Sequence, residues 1–246
     1  MKRWTWVLTV VCGLVMACQV AQAQVDQIWK KIESKAKSTN LSGATLSNDK
    51  IASGLKEALT KSTGTAVAST GRKDGYFKNE AIKILLPGPL QKLSGGMRML
   101  GMGSQLDALD LAMNRAAEQA APAAKPIFLD AIKKMTFTDA RQILTGGDTA
   151  ATDYFKRTCS EELTQAFMPI VHKSMENVGV VAQYDRLTQN SMAGTLLKNE
   201  NFNLDHYVVG KALDGLFYML GQEEKQIRTN PAAQTTALLR QVFGKK

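Results

Sequence analysis

Residues 104–179 read SQLDALDLAMNRAAEQAAPAAKPIFLDAIKKMTFTDARQILTGGDTAATDYFKRTCSEELTQAFMPIVHKSMENVG. Leu106, Leu109, Met113, Ala116, Ala117 and Ala120 recur at spacings of three and four, the period of an amphipathic helix. Ser104 followed three residues later by Asp107 predicts a capping box, with the helix starting at Ser104. At 3.6 residues per turn, Asp107, Asp110, Asn114 and Glu118 fall in one stripe on the opposite side, flanked by Arg115. The default for such a stripe is a solvated face. The sharper alternative is a polar site facing a groove, and Leu111, lying inside the stripe, argues that this side is not fully bare.

The same stretch predicts three further helices. Pro122 lacks an N–H and disfavours helix at Ala121, so the first helix ends or kinks there. Pro126 suits a first helical turn, and Ile127, Phe128, Ala131, Ile132 and Met135 form the apolar stripe behind it. Thr136 or Thr138 caps a short helix with Ala140, Ile143 and Leu144 inward, which Gly146 and Gly147 end. Asp148 can cap the next helix, whose inner side carries Ala151, Tyr154 and Phe155. A Gly-Gly turn opening a helix can bind an anion through free N–H groups, but Asp148 would occupy those donors itself. Thr158 with Glu161 reads as a second capping box. Leu163, Phe167, Ile170, Val171 and Met175 continue inward to Gly179, with a kink expected at Pro169.

Outward from this centre the pattern stays helical. Leu46–Ser69 carries Ser47 as cap, Leu46 stapling onto Ile51, and Ile51, Leu55, Ala58, Leu59, Ala66 and Val67 as buried face. Gly71–Gly75 is a turn marked by Asp74-Gly75. Ala81–Leu86 is apolar and bounded by prolines: a brief extended segment, too short to make a sheet alone. Leu90, Leu93, Met97 and Leu100 return to helical spacing, and Met97, Met99 and Met102 read as adaptable core. Past Gly179, Val180–Leu187 is expected helical and Thr188–Asn201 a polar linker. Asp205 begins a helix with Val208, Ala212, Leu216, Phe217 and Leu220 inward, and Glu224 and Arg228 paired at i, i+4 on its far side. Asn230 and Pro231 open a last helix, in which Leu238, Leu239 and Val242 close the core. The fold class expected is all-α: one compact multi-helix domain over 46–246, with at most a minor extended segment near 81–86.

The runs MNRAAE (113–118), IFLDAIKKM (127–135) followed by TDARQIL (138–144), GGDTAAT (146–152) with Tyr154-Phe155 behind it, and KALDGLFYMLGQEEKQIRTNPAAQTTALL (211–239) carry a further signal. Through them the chain resembles the bacterial family known as domain of unknown function 4197, from about Leu46 to Phe243. The resemblance implies an exported bacterial protein. It brings no known activity and no catalytic residues to transfer. Cys159 stands where a hydroxyl residue such as threonine is expected in such proteins.

The first 23 residues read as a signal peptide. Lys2 and Arg3 precede an apolar run, Val7–Ala17, that is short for a membrane span, and Ala21-Gln22-Ala23 is a small-x-small cleavage pattern. Cleavage after Ala23 makes Gln24 the first residue and leaves 223 residues. A competing pattern, Val15-Met16-Ala17-Cys18, resembles a lipobox in which Cys18 would be lipidated. The closely following Ala-x-Ala favours ordinary cleavage. The expected location is therefore periplasmic or secreted, with a lipid anchor through Cys18 as the alternative. Residues 24–45 read as a flexible or amphipathic leader, with Val25, Ile28, Trp29 and Ile32 facing one way and Lys30, Lys31 and Lys35 the other.

The formal charge of +9 becomes +7 without Lys2 and Arg3. In an exported protein this makes nucleic acid an unsuitable partner and points to an envelope component such as an anionic phospholipid, lipopolysaccharide or an acidic polymer. The cations are scattered, as solubility alone requires. No run after the leader suits a transmembrane span. Cys159 would be the single cysteine left, so no internal disulfide is available. Oligomeric state is not legible.

The chemistry is largely defined by what is missing. His172 and His206 are far apart and lack metal-ligand spacing. There is no G-x-S-x-G elbow, no phosphate-binding glycine loop and no calcium-loop spacing. No cofactor or metal is expected. The favoured reading is a non-catalytic envelope protein that binds a lipid, a polymer or another protein. The alternative is a periplasmic enzyme working through an Asp/Glu/Arg cluster, with Asp110, Asn114, Arg115 and Glu118 as candidates, joined by Asp148, Asp153 and Arg157. Carboxylates beside arginines can move protons, but more often build structural ion pairs.

Overall fold

The computed structural model describes residues 48–177 and 203–230. Among them the order is α1 (Asn48–Gly71), α2 (Gly88–Met99), α3 (Gly103–Ala120), a 3-10 turn (Ala121–Ala123), α4 (Ala124–Lys134), α5 (Phe137–Thr145), α6 (Ala150–Asn177) and α7 (Leu204–Thr229). No strand occurs among the described residues. The expectations for the signal peptide, the leader, the cap at Ser47, Val180–Leu187, the linker 188–201 and the last helix lie outside them.

The protein is an all-α domain. α6 packs on α3 and α7, and α1 packs on α4 and α7. Phe128 of α4 meets Phe155 of α6 edge-on at 5.0 Å and Phe217 of α7 at 6.3 Å, tying three helices together. Such edge contacts add roughly 0.5–1.5 kcal/mol to the burial itself. The inward faces read from the sequence are buried at Leu106, Leu109, Met113, Leu163, Phe167, Val208, Ala212 and Leu216. α1 also buries Ser62, Thr63 and Thr70, whose hydroxyls donate back to carbonyls three or four residues earlier in the helix, so no polar group is left bare.

Several local expectations are corrected. α3 starts at Gly103 without a side-chain cap, so Ser104 lies inside its first turn and donates to Gln105 Oε1, while Asp107 pairs with Arg98 of α2. Thr158 and Glu161 form no box, since both lie inside α6; the Thr158 hydroxyl donates to the Tyr154 carbonyl at 2.9 Å. Met99 and Leu100, expected inward, are 90% and 79% exposed at the C-terminal end of α2. The cap at Thr136 holds, and Asp139 closes it into a full capping box. Thr136 hydrogen bonds hold the Asp139 carboxyl below its ordinary range.

Between α1 and α2 the chain crosses the surface of α3 and α7. Asp74 takes a positive φ of 66°. Gly75 follows because a Cβ there would lie 2.5 Å from the carbonyls of Ser69 and Thr70. Tyr76 is fully buried, and its hydroxyl donates to the Ala212 carbonyl at 2.7 Å. Burial raises its pKa. Gly215 of α7 makes room for this ring, as a Cβ there would stand 2.6 Å from it.

Candidate functional site

The polar stripe of α3 is neither a solvated face nor an open site. Asn114 and Glu118 are buried. One Glu118 oxygen accepts the backbone N–H groups of Tyr76 and Phe77, each at 3.1 Å. The other accepts from Arg115, which also donates to Asp74. Lys78 and then Arg115 hold the Asp74 carboxyl below its ordinary range. The Asn114 amide accepts the Ile84 N–H and donates to the Ile84 carbonyl, both at 2.8 Å. Asp110 pairs with Lys83 at 3.0 Å. Four of the candidates from the sequence are thus gathered on one strip of chain, residues 74–84. Asn114 and Glu118 hold its backbone, and Asp110 and Arg115 hold its Lys83 and Asp74 side chains.

The other three lie apart. Asp148 and Asp153 are exposed, and Asp153 accepts from the Thr149 hydroxyl at 3.3 Å. Arg157 stacks over the Tyr154 ring at 5.8 Å. The N-terminus of α6 does carry an anion, but it is internal and does not come from Asp148. Glu224, 5% exposed and expected on the far side of its helix, accepts the Ala151 and Thr152 N–H groups at 2.9 Å each. Arg228 donates to the same carboxylate and to the Ile143 carbonyl. Helix N-termini stabilise carboxylates in this way. The adjoining void of about 10 Å³ is large enough for no more than a water.

Cys159 is buried, with its thiol pushed up by that burial and its Sγ 3.4 Å from the Thr158 hydroxyl. A thiolate is therefore disfavoured. His172 engages a carboxylate with each ring nitrogen: Asp205 of α7 at 2.6 Å and Glu176 of α6 at 3.1 Å. Among the described residues no three His, Cys, Asp or Glu side chains gather as a metal site, and no helix is long and apolar enough to cross a membrane.

A groove of about 450 Å³ lies between residues 81–91 and α7. Its size falls within the usual range for ligand sites. Lys83, Leu85 and Gln91 stand on one wall and Tyr207, Lys211 and Tyr218 on the other. Leu85 and Tyr218 are 51% and 47% exposed. The Tyr207 hydroxyl donates across the groove to the Leu85 carbonyl at 2.9 Å. Sequence reasoning missed this site, because its walls lie more than a hundred residues apart in the chain. The proline-bounded segment 81–86 was the one available signal.

The fold and the groove define a helical domain with an open-sided cleft of mixed polar and apolar lining. The chain belongs to the family described as "Protein of unknown function (DUF4197)", whose model matches residues 45–244. No curated protein and no solved structure matches it.

Proposed function

We propose that this is an exported protein of the bacterial envelope that binds a partner in the groove between residues 81–91 and α7. One observation carries the preference for binding over catalysis. Asn114, Arg115 and Glu118 spend their hydrogen bonds on the protein's own backbone and on Asp74, whereas the groove presents apolar side chains to solvent. Export rests on residues 1–23, with their basic start, apolar run and Ala-Gln-Ala pattern. Cleavage at Ala23 gives a periplasmic or secreted protein, and lipidation at Cys18 an anchored one.

The test is cell fractionation followed by mass spectrometry of the purified protein, native and then denatured. A denatured mass starting at Gln24 supports release, and an acylated Cys18 supports anchoring. A native mass excess lost on denaturation would be the bound partner. An intact Met1 in the cytoplasmic fraction would refute export.

A further inference from the structure

We infer that the occupant of the groove is an extended peptide segment of a protein partner, added as a strand alongside residues 83–85. This rests on the binding reading and names its ligand class.

The argument begins with the backbone. In an extended chain, successive residues direct their N–H and C=O groups to opposite edges. Two contacts show that alternation from Ile84 onward, while the Lys83 N–H still belongs to the preceding turn and donates to the Asn79 carbonyl at 2.8 Å. Ile84 gives both its groups to Asn114 of α3, and Leu85 gives its carbonyl to Tyr207 of α7. The Asn114 amide presents the donor and acceptor that a neighbouring strand would, so one edge is already filled by a side chain. The opposite edge faces the groove, where Tyr207 takes the Leu85 carbonyl at one end. There the Leu85 N–H and the Lys83 carbonyl have no hydrogen-bond partner among the described residues. These two groups flank Ile84, the spacing at which one residue of a parallel strand donates to the first carbonyl and accepts from the second N–H. Main-chain pairing of this kind gives affinity, and the flanking apolar side chains give selectivity. Leu85 and Tyr218 are placed for that second task.

Charge separates a peptide from the anionic lipid that the net charge of the chain first suggests. Lys83 already faces Asp110 at 3.0 Å, and Lys211 faces Asp214 at 3.2 Å. The walls are therefore balanced. A neutral, dipolar peptide backbone matches them, whereas a phosphate headgroup would find no spare cation.

The experiment pans random phage-displayed heptapeptides on the purified full chain. The selected peptide, with blocked ends, is then titrated by fluorescence anisotropy, with phosphatidylglycerol vesicles in parallel. Leu85→Pro removes an N–H that no described residue uses, together with the leucine side chain and the freedom of φ at residue 85, and should weaken peptide binding at least tenfold with an unchanged melting temperature. Leu85→Ala, which keeps the N–H, should lose no more than about threefold. Tyr218→Ala tests the opposite wall without touching the segment. Hydrogen exchange at the Leu85 amide should slow when peptide is added. The inference is overturned if no peptide binds, if Leu85→Pro and Tyr218→Ala both bind like the parent, if vesicles bind instead, or if the Leu85 amide is already protected without peptide. A native mass excess of non-peptide composition would overturn this inference while leaving the binding reading intact. A cytoplasmic location would refute export whatever the peptide result.

Discussion

Two buried carboxylates, Glu118 and Glu224, solve the same problem at different places. Each accepts two consecutive backbone N–H groups from a distant segment, and each is neutralised by an arginine on its own helix. They differ in what they hold. Glu224 seals the start of a regular helix, where four N–H groups always need partners. Glu118 holds an irregular turn that has no such repeating need, and its arginine is braced outward by Asp74. The helix end is sealed within the core, while the turn is laced to the surface. The chain beyond that turn becomes the wall of the groove. Buried charge serves to close the fold at one site and to position a surface segment at the other.

The largest effect expected is that of Glu224→Ala. It leaves Arg228 and two helix-end N–H groups without their anion, and should cost about 3–5 kcal/mol, read by denaturant unfolding. A loss under 1 kcal/mol would show that the sealed end is already satisfied by water. Glu118→Ala should cost less, roughly 2–4 kcal/mol, because Arg115 keeps Asp74. If the two variants reverse in order, the distinction drawn between the sites fails. Asn114→Ala sharpens the comparison. It should cost about 2 kcal/mol by leaving the Ile84 groups unpaired. It should also weaken peptide binding, since segment 83–85 loses its anchor. Equal peptide affinity in this variant would mean that the segment holds its shape unaided.

Smaller effects follow. Thr136→Ala removes an ordinary helix cap and should cost about 1 kcal/mol, with no change in the groove. The pH dependence belongs to His172. Its hydrogen bond to Asp205, followed by the charge of Glu176, raises its pKa. A raised folded pKa means that this contribution is full below the unfolded value and is lost as pH rises through the folded one. His172→Gln should therefore lower the melting temperature at pH 5 and leave it nearly unchanged at pH 9. Equal losses at both pH values would indicate packing and not charge.

Helical periodicity made most of the fold legible. The faces of α3, α6 and α7 could be read because one apolar residue every third or fourth position is a local property of the chain. Start signals were less secure. Thr136 caps its helix, but Ser104 does not, since α3 starts one residue before it and takes Ser104 into its first turn. The Thr158 and Glu161 pattern failed because a long helix can carry capping residues in its interior. The polar candidates Asp110, Asn114, Arg115 and Glu118 were identified as a group, but their task was not. The same stripe would serve water, a substrate or another stretch of backbone.

The sequence by itself determined a helical domain, the family to which it belongs, and the residues of α3 that would carry unusual polar contacts. Only the tertiary structure decided that Glu224 belongs to the start of α6, that Glu118 and Asn114 hold residues 76–84, and that Leu85 and Tyr218 face each other across a groove. The physical reason is range. Helix periodicity and turn preference act over a few residues, whereas these contacts join positions 30 to 133 residues apart. Their partners are chosen by packing, not by spacing along the chain.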